Sequence, residues 1–263
     1  MKFRMGYDVI DEGIGVIHER IVKGEYIHHI VQRYNLRSIL EVGSAIGIEM
    51  GAGVGIDSLP LSKKNKNVVL IDHSKENLFT AMQIYKITGL RSKVCLVMAH
   101  PSYMPFKTNS FDLAFNSYLV EFEVNPVKCV REMMRVSKQF VLLFATNYLN
   151  IGHLIHKIYG GVIRAPWENG SKNRTTLCFL HKFVEIIGLK LVDSGAVDVP
   201  PWPSGVAIRK TEEYRLRKKL QITNPDLNPI AFKLLKLFYL FEKSTPKFFK
   251  ILQSHIIYVL AKK

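Results

Sequence analysis

Apolar positions recur along this chain with two different periods, and the switches between them mark out its elements. Ile14, Ile17 and Ile21, then Ile27, Ile30, Val31 and Tyr34, return at mostly three- and four-residue steps. That spacing predicts one or two helices over 14–34, with a break at Gly24. After a short turn at Asn35-Leu36-Arg37 come compact apolar runs of strand length: Ser38 to Val42, Val68 to Ile71, Val94 to Met98, Phe111 to Phe115 and Phe140 to Ala145. Helical patterns separate them. A helix is expected from about Asp57, with Pro60 in its first turn. Another follows a cap at Ser74, with Asn77 at the position where a capping box prefers Glu or Gln, and carries Leu78, Met82 and Tyr85 to a stop at Gly89. A third starts at Pro126 with Val127, Val130, Met133 and Met134, and a fourth runs from Leu177 to Ile187, ended by Gly188. Short strands alternating with helices imply a parallel sheet covered on both faces.

The second half is less regular. Residues 147–174 include Gly160-Gly161 and Pro166-Trp167. A sixth strand begins at Leu189 to Val192, and Pro200-Pro201-Trp202-Pro203 cannot continue it as sheet interior. Residues 208–252 read as helical and basic, and Ile256 to Leu260 reads as a last strand.

The chemistry sits between the first two strands. The first is followed by a glycine-rich loop containing Gly51-Ala52-Gly53-Val54-Gly55, and the second ends in Asp72. Strand, glycine turn, connector, strand and acid is a nucleotide-binding arrangement. Glycines let the backbone approach a ligand, and an acid after the second strand can accept hydrogen bonds from both hydroxyls of a ribose. The spacing is G-x-G-x-G rather than the G-x-G-x-x-G of a dinucleotide site. The register is open: either the loop is expanded after a strand at Ser38 to Val42, which the preceding helix and turn favour, or the first strand is Ile46 to Met50.

Five segments extend the pattern: Glu41-Val42-Gly43, Gly51 to Gly55, Asp72-His73-Ser74, Met104-Pro105-Phe106 and Ser110 to Phe115. In this order the chain resembles the class I S-adenosylmethionine-dependent methyltransferases, of the small-molecule type 11 kind, over roughly residues 38–145. The resemblance implies a Rossmann-like seven-stranded sheet, mostly parallel with an antiparallel last strand, helices on both faces, and S-adenosyl-L-methionine as cofactor. In that family the last two strands form a hairpin; here some fifty residues separate them, read as a helical insertion. The chain then reads as a single domain: an N-terminal helical segment 1–37, a cofactor-binding core 38–204, a basic helical insertion 205–253 and a last strand 254–263.

By the same resemblance, Asp72 accepts the ribose hydroxyls, Glu41 sits near the methionine amino group, and Gly43, Gly51, Gly53 and Gly55 line the loop. His73 and Asn116 join the cofactor side. His100 stands where the family usually has an acid that binds the adenine amino group; a neutral imidazole can accept that bond. Methyl transfer from a sulfonium is a direct displacement, so the protein has to align and desolvate rather than supply a nucleophile. A base is needed only where the acceptor loses a proton. Tyr118, Glu121, His153 and His156 are candidates by position, and Trp167 and Trp202 are candidates for an aromatic wall. The histidines, including His28-His29, show no metal-ligand pattern, and no metal is expected.

Charge and composition narrow the partners. The chain of 263 residues is 48% hydrophobic and carries a formal net charge of +15. Residues 205–263 hold thirteen Lys and Arg against four Asp and Glu, a net +9. Basic excess favours an anionic partner: nucleic acid, an anionic membrane surface or an acidic small molecule. Arg215, Arg217, Lys218 and Lys219 form a basic run, and Ile230 to Phe241 is apolar but too short to span a bilayer. This insertion is either a lid, burying Leu234, Leu235 and Phe238, or a peripheral contact with anionic lipid. No segment suits a transmembrane helix, and the N-terminus turns acidic too early for a signal peptide. Cys95, Cys129 and Cys178 are expected as buried free thiols of a cytoplasmic protein. The leading reading is methyl transfer to a small, apolar, quinone- or lipid-like acceptor. The alternatives are an RNA methyltransferase, against which the absence of N-P-P-Y or D-P-P-Y after strand four counts, and a non-catalytic binding protein retaining the fold.

Overall fold

A computed structural model describes residues 14–43, 55–62, 64, 66–151, 171–199 and 229–263. Helix α1 (Ile14–Arg33) leads into strand β1 (Ser38–Val42). The short α2 (Leu59–Ser62), β2 (Asn67–Asp72), α3 (Lys75–Ile87) and β3 (Val94–Met98) follow. Then come β4 (Phe111–Ser117), α4 (Leu119–Phe122), α5 (Pro126–Val136), β5 (Ser137–Thr146), α6 (Leu177–Ile187) and β6 (Lys190–Val197). Helices α7 (Pro229–Ser244) and α8 (Lys247–Gln253) precede the last strand, β7 (Ile256–Lys262).

The strands form one seven-stranded sheet in the order β3-β2-β1-β4-β5-β7-β6. β1 pairs in parallel with β2 and β4, and β7 runs antiparallel to both β5 and β6. The first strand is therefore Ser38–Val42, at the centre of the sheet. The expected insertion of helix between the sixth and seventh strands is present as α7 and α8.

Period-two alternation divides the core into two layers. Leu142 and Phe144 of β5 face the layer of α1 and α3, with Ile39, Leu70, Phe115 and Tyr85. Val141, Leu143 and Ala145 face the layer of α5 and α6, with Val130, Met133, Leu180 and Val184. Each such fully buried side chain contributes about 1.5–3 kcal/mol relative to exposure.

Some local expectations are corrected. Helix α1 passes through Gly24 without a break. A helical glycine costs about 1 kcal/mol, and burial of Ile21, Val22 and Ile27 on either side outweighs it. The helix expected from Asp57 starts at Leu59 and makes a single turn with Pro60 in it. Of the cysteines, all free, only Cys129 is buried; Cys95 lies on the edge strand β3 and Cys178 on the first turn of α6, both exposed.

Candidate functional site

Strand order reverses between β1 and β4, and in an open parallel sheet the crevice beyond the strand ends at such a reversal is where ligands bind. The residues that reach this edge are Val42-Gly43 from β1, Asp72-His73 from β2, Ala99-His100 after β3 and Asn116-Ser117-Tyr118 from β4.

Gly43 and Asp72 meet there. The Gly43 amide donates to the Ile71 carbonyl at 2.7 Å. A Cβ at Gly43 would lie 2.2 Å from Asp72 Oδ2, so only glycine lets the two strand ends close together. The buried Asp72 carboxylate accepts from the Ser74 amide at 2.8 Å and from Asn77 Nδ2 at 2.9 Å. Asn77 therefore serves the carboxylate, which explains the missing Glu or Gln of the capping box; Ser74 still caps α3 through the Asn77 amide. Burial raises the Asp72 pKa, against the hydrogen bonds from Ser74 and Asn77. Each carboxylate oxygen keeps a further lone-pair direction for a ligand hydroxyl.

His73 and His100 are both exposed, and their rings lie 5.1 Å apart, inclined by 32°. The sequence suggested each separately; the fold brings the two tilted rings side by side across the ends of β2 and β3. His100 Nδ1 accepts from the Ser102 amide at 3.1 Å. Asn116 is turned inward: its Nδ2 donates to the Val42 carbonyl and its Oδ1 accepts from the Leu119 amide, tying β4 to β1 and starting α4.

Glu41 is buried and anchors the return of the glycine loop. Its two oxygens accept the Gly55 and Ser58 amides, each at 3.2 Å. Gly55 holds φ +82, a left-handed conformation that suits glycine. Burial, then the charge of Asp57, pushes the Glu41 pKa up to about 8 despite those two donors. Gly51, Gly53, His153, His156, Trp167 and Trp202 lie outside the described residues, as does 205–228.

The acceptor-side candidates from β4 and α4 are enclosed by a polar cluster under α1. Lys23 has no exposure and reaches Glu19 at 3.1 Å, Asp57 at 3.0 Å and Ser117 Oγ at 3.3 Å. Burial alone would lower its pKa, but the Asp57 and Glu19 carboxylates carry it above the ordinary value. Tyr118 donates its hydroxyl to Glu19, and Lys23 stands 5.2 Å from its ring centroid. Tyr118 also has φ +69, uncommon for a bulky residue and a mark of a constrained position. Glu121 is buried and accepts from the Thr146 amide and hydroxyl; burial pushes its pKa up to about 8 against those bonds.

Sequence reading missed most of this cluster. In α1 the consecutive polar residues His18, Glu19 and Arg20 lie between Ile17 and Ile21, and all are buried. Three polar residues on a helix with apolar neighbours on both sides, plus a Glu19–Lys23 pair four apart, were the available signal. His18 Nδ1 lies 2.9 Å from Asp198 Oδ1 beyond β6, and His255 Nδ1 lies 3.9 Å from Asp198 Oδ2. Glu19, Asp198 and His255 bring potential ligand atoms within 4.8 Å of one another. Glu19 is already bonded to Lys23 and Tyr118, and Asp198 to His18, so the set reads as a hydrogen-bonded network rather than a cage for an ion.

Helix α7 covers α1 from outside. Phe238 meets His18 edge-on at 6.0 Å, Tyr239 donates to Glu25 at 3.0 Å, and buried Glu242 accepts the Asp198 and Val199 amides.

Residues 48–144 match the family model described as Methyltransferase domain. With the seven-stranded sheet and its reversal point, this match over part of the chain supports a class I S-adenosylmethionine-dependent methyltransferase and indicates S-adenosylmethionine as the cofactor. Among named relatives, the chain is similar to 2-methyl-6-phytyl-1,4-hydroquinone methyltransferase 1, chloroplastic, of Oryza sativa subsp. japonica, at 28% identity over 93 residues. That match spans 35% of this chain and 27% of the relative. Among solved structures, magnesium protoporphyrin IX methyltransferase from Synechocystis PCC 6803 with bound SAH has a TM-score of 0.59 at 10% identity, covering 95% of this chain and 85% of that one. The cyclase SpnF has a TM-score of 0.51 at 15% identity, covering 91% of this chain and 80% of that one. At such identities the structural likeness concerns the fold alone.

Proposed function

We propose that this chain transfers a methyl group from S-adenosylmethionine to a small, apolar acceptor of quinone- or lipid-like chemistry. The observation that carries methyl transfer is the junction of Gly43 with the Asp72 carboxylate beside the strand reversal, with Asp72 inside the matched residues 48–144. The residues fit the cofactor: a buried carboxylate with spare lone pairs suits a ribose diol, and the close approach of Gly43 leaves the strand edge bare for it. Bound there, S-adenosylmethionine supplies a methyl group on a cationic sulfur, open to direct displacement. Asp72 orients the ribose, His73 and His100 flank the adenine, and Glu41 with the returning loop at Gly55 faces the amino-acid end. Asn116 fixes the junction of β1 and β4 on which this alignment depends.

On the acceptor side, the polar candidates from the strand ends are Tyr118 and Glu121, both buried. Glu121, with a pKa pushed up to about 8, is largely protonated at neutral pH and becomes a base for an acceptor hydroxyl as pH rises through that value. The apolar class of acceptor is supported by the hydroquinone named for the rice relative. The expected cytoplasmic location belongs to the same proposal. A second reading, RNA methylation, is favoured by the net charge of +15.

Transfer of labelled methyl to a prenylated hydroquinone, measured beside transfer to total RNA, tests the assignment. Label in the hydroquinone product is the expected result. Label in RNA alone would replace it with the second reading, and binding of the cofactor with no transfer to either would contradict the proposed acceptor.

A further inference from the structure

We propose that the outward face of α7 and α8 is a docking surface for anionic lipid, holding the protein at a membrane interface. The inference does not depend on the identity of the acceptor.

Helix α7 has two faces with different tasks. Leu235, Phe238, Tyr239 and Glu242 turn inward to α1 and the end of β6. Leu237, Leu240 and Phe241 recur at three- and four-residue spacing on the opposite side and are exposed, Leu240 by 64%. After the link Ser244–Pro246, α8 exposes Phe248 by 72%, together with Phe249 and Leu252. Six large apolar side chains thus stand in solvent between Leu237 and Leu252, which is more than scattered surface leucines explain.

Charge selects the occupant. Lys233, Lys236, Lys243 and Lys247 are exposed among these side chains. From Pro229 to Lys263 the chain has one acid, Glu242, and it is buried against the Asp198 and Val199 amides and Lys250. Among the described residues, Glu25 lies 3.3 Å from Lys243 and Asp193 lies 3.2 Å from Lys247. Both lysines remain more than half exposed. A second copy would bring the same net +15 against this face, which disfavours self-association. Nucleic acid matches the charge but leaves the leucines without a partner. Anionic lipid matches both: phosphates meet the lysines, and the acyl boundary receives Leu and Phe. No described helix is long and apolar enough to cross a membrane, so the contact is interfacial.

The test is sedimentation of the full chain with vesicles of phosphatidylcholine alone and of phosphatidylcholine with phosphatidylglycerol, at low and high salt. Binding to the anionic vesicles, weakened by salt, is expected. Phe248→Ser/Phe249→Ser should lower the partition about tenfold or more, from the apolar area removed. Its affinity for S-adenosylhomocysteine should be unchanged and its melt should remain cooperative, because Phe248 faces solvent and Phe249 is half exposed. Lys233→Gln/Lys236→Gln should weaken binding to anionic vesicles alone. The proposal is overturned by absence of binding at low salt, by equal binding to neutral vesicles, or by an unaffected Phe248→Ser/Phe249→Ser protein. A dimer that this variant dissociates would assign the face to a second copy, and RNA binding that it abolishes would assign it to nucleic acid. Intact cofactor binding without vesicle binding would sink the docking surface and leave the methyltransferase reading untouched.

Discussion

Replacing Lys23 by Met tests the cluster that holds α1 over the site. Lys23 is fully buried with carboxylates at 3.1 Å (Glu19) and 3.0 Å (Asp57). At an effective dielectric of ~20, each contact is an attraction of about 5 kcal/mol before desolvation. Burying the ammonium offsets much of that, so the net worth of the pair is small. Removing only the cation is different, because it leaves two buried carboxylates without their counter-charge. Breaking a buried ion pair in this way costs about 3–5 kcal/mol. For a domain of this size that is a fall in melting temperature of roughly 6–20 °C. Methionine keeps most of the lysine stem's volume, so the loss reports charge rather than a cavity. Urea unfolding followed by circular dichroism measures it. The deficit against wild type should shrink as pH falls from 8 toward 5, because the uncompensated carboxylates then take up protons. Adding Asp57→Asn to Lys23→Met should recover part of the loss, a non-additive result. A deficit below about 1 kcal/mol, independent of pH, would refute the reasoning.

Gly43→Ala should destabilise the fold by about 1–3 kcal/mol and abolish tight cofactor binding, since its Cβ would collide with Asp72; a melt and a titration on one sample check both. Glu41 and Glu121, each with a pKa raised to about 8, contribute stability that is full below their ordinary carboxyl range and is lost as pH rises through 8. Between those limits stability should fall by up to about 1.4 kcal/mol per pH unit per group, and Glu121→Gln should flatten the fall in a pH series of unfolding curves. Cofactor binding should release protons near pH 7.5, because a cationic ligand beside Glu41 favours its ionised form; calorimetry in buffers of different ionisation enthalpy reads this, and Glu41→Gln should remove part of it.

The sheet was legible because its strands are short, compact apolar runs separated by capped helices, and a parallel sheet covered on both faces leaves few other orders. Asp72 and Gly43 were legible because a strand-end acid and a glycine after the first strand have local signatures. The polar cluster was not. Lys23, Asp57 and the pair Ser117-Tyr118 come from three separate places in the chain, and only packing of α1 onto the strand ends brings them together. Helix α1 read as amphipathic through its isoleucines, while the polar residues His18, Glu19, Arg20 and Lys23 of its first half are buried as fully as those isoleucines. The approach of His73 to His100 is equally a product of the fold, through the register of Asp72 with Met98. The two faces of α7 were only half visible: the apolar run announced itself, but which side packs on α1 depends on Phe238 and Glu242 finding His18, Asp198 and Val199.

Calorimetric titration with S-adenosylhomocysteine, on wild type and on Asp72→Ala, tests the cofactor site most directly. Wild type should bind one equivalent. Asp72→Ala, verified as folded by its circular dichroism and melt, should bind more weakly by about 1.5–3 kcal/mol, a loss of about 10- to 150-fold, as expected for hydrogen bonds to a charged group. Equal affinity in the two proteins would remove Asp72 from the site and contradict the assignment of the β1–β4 crevice as the cofactor's place.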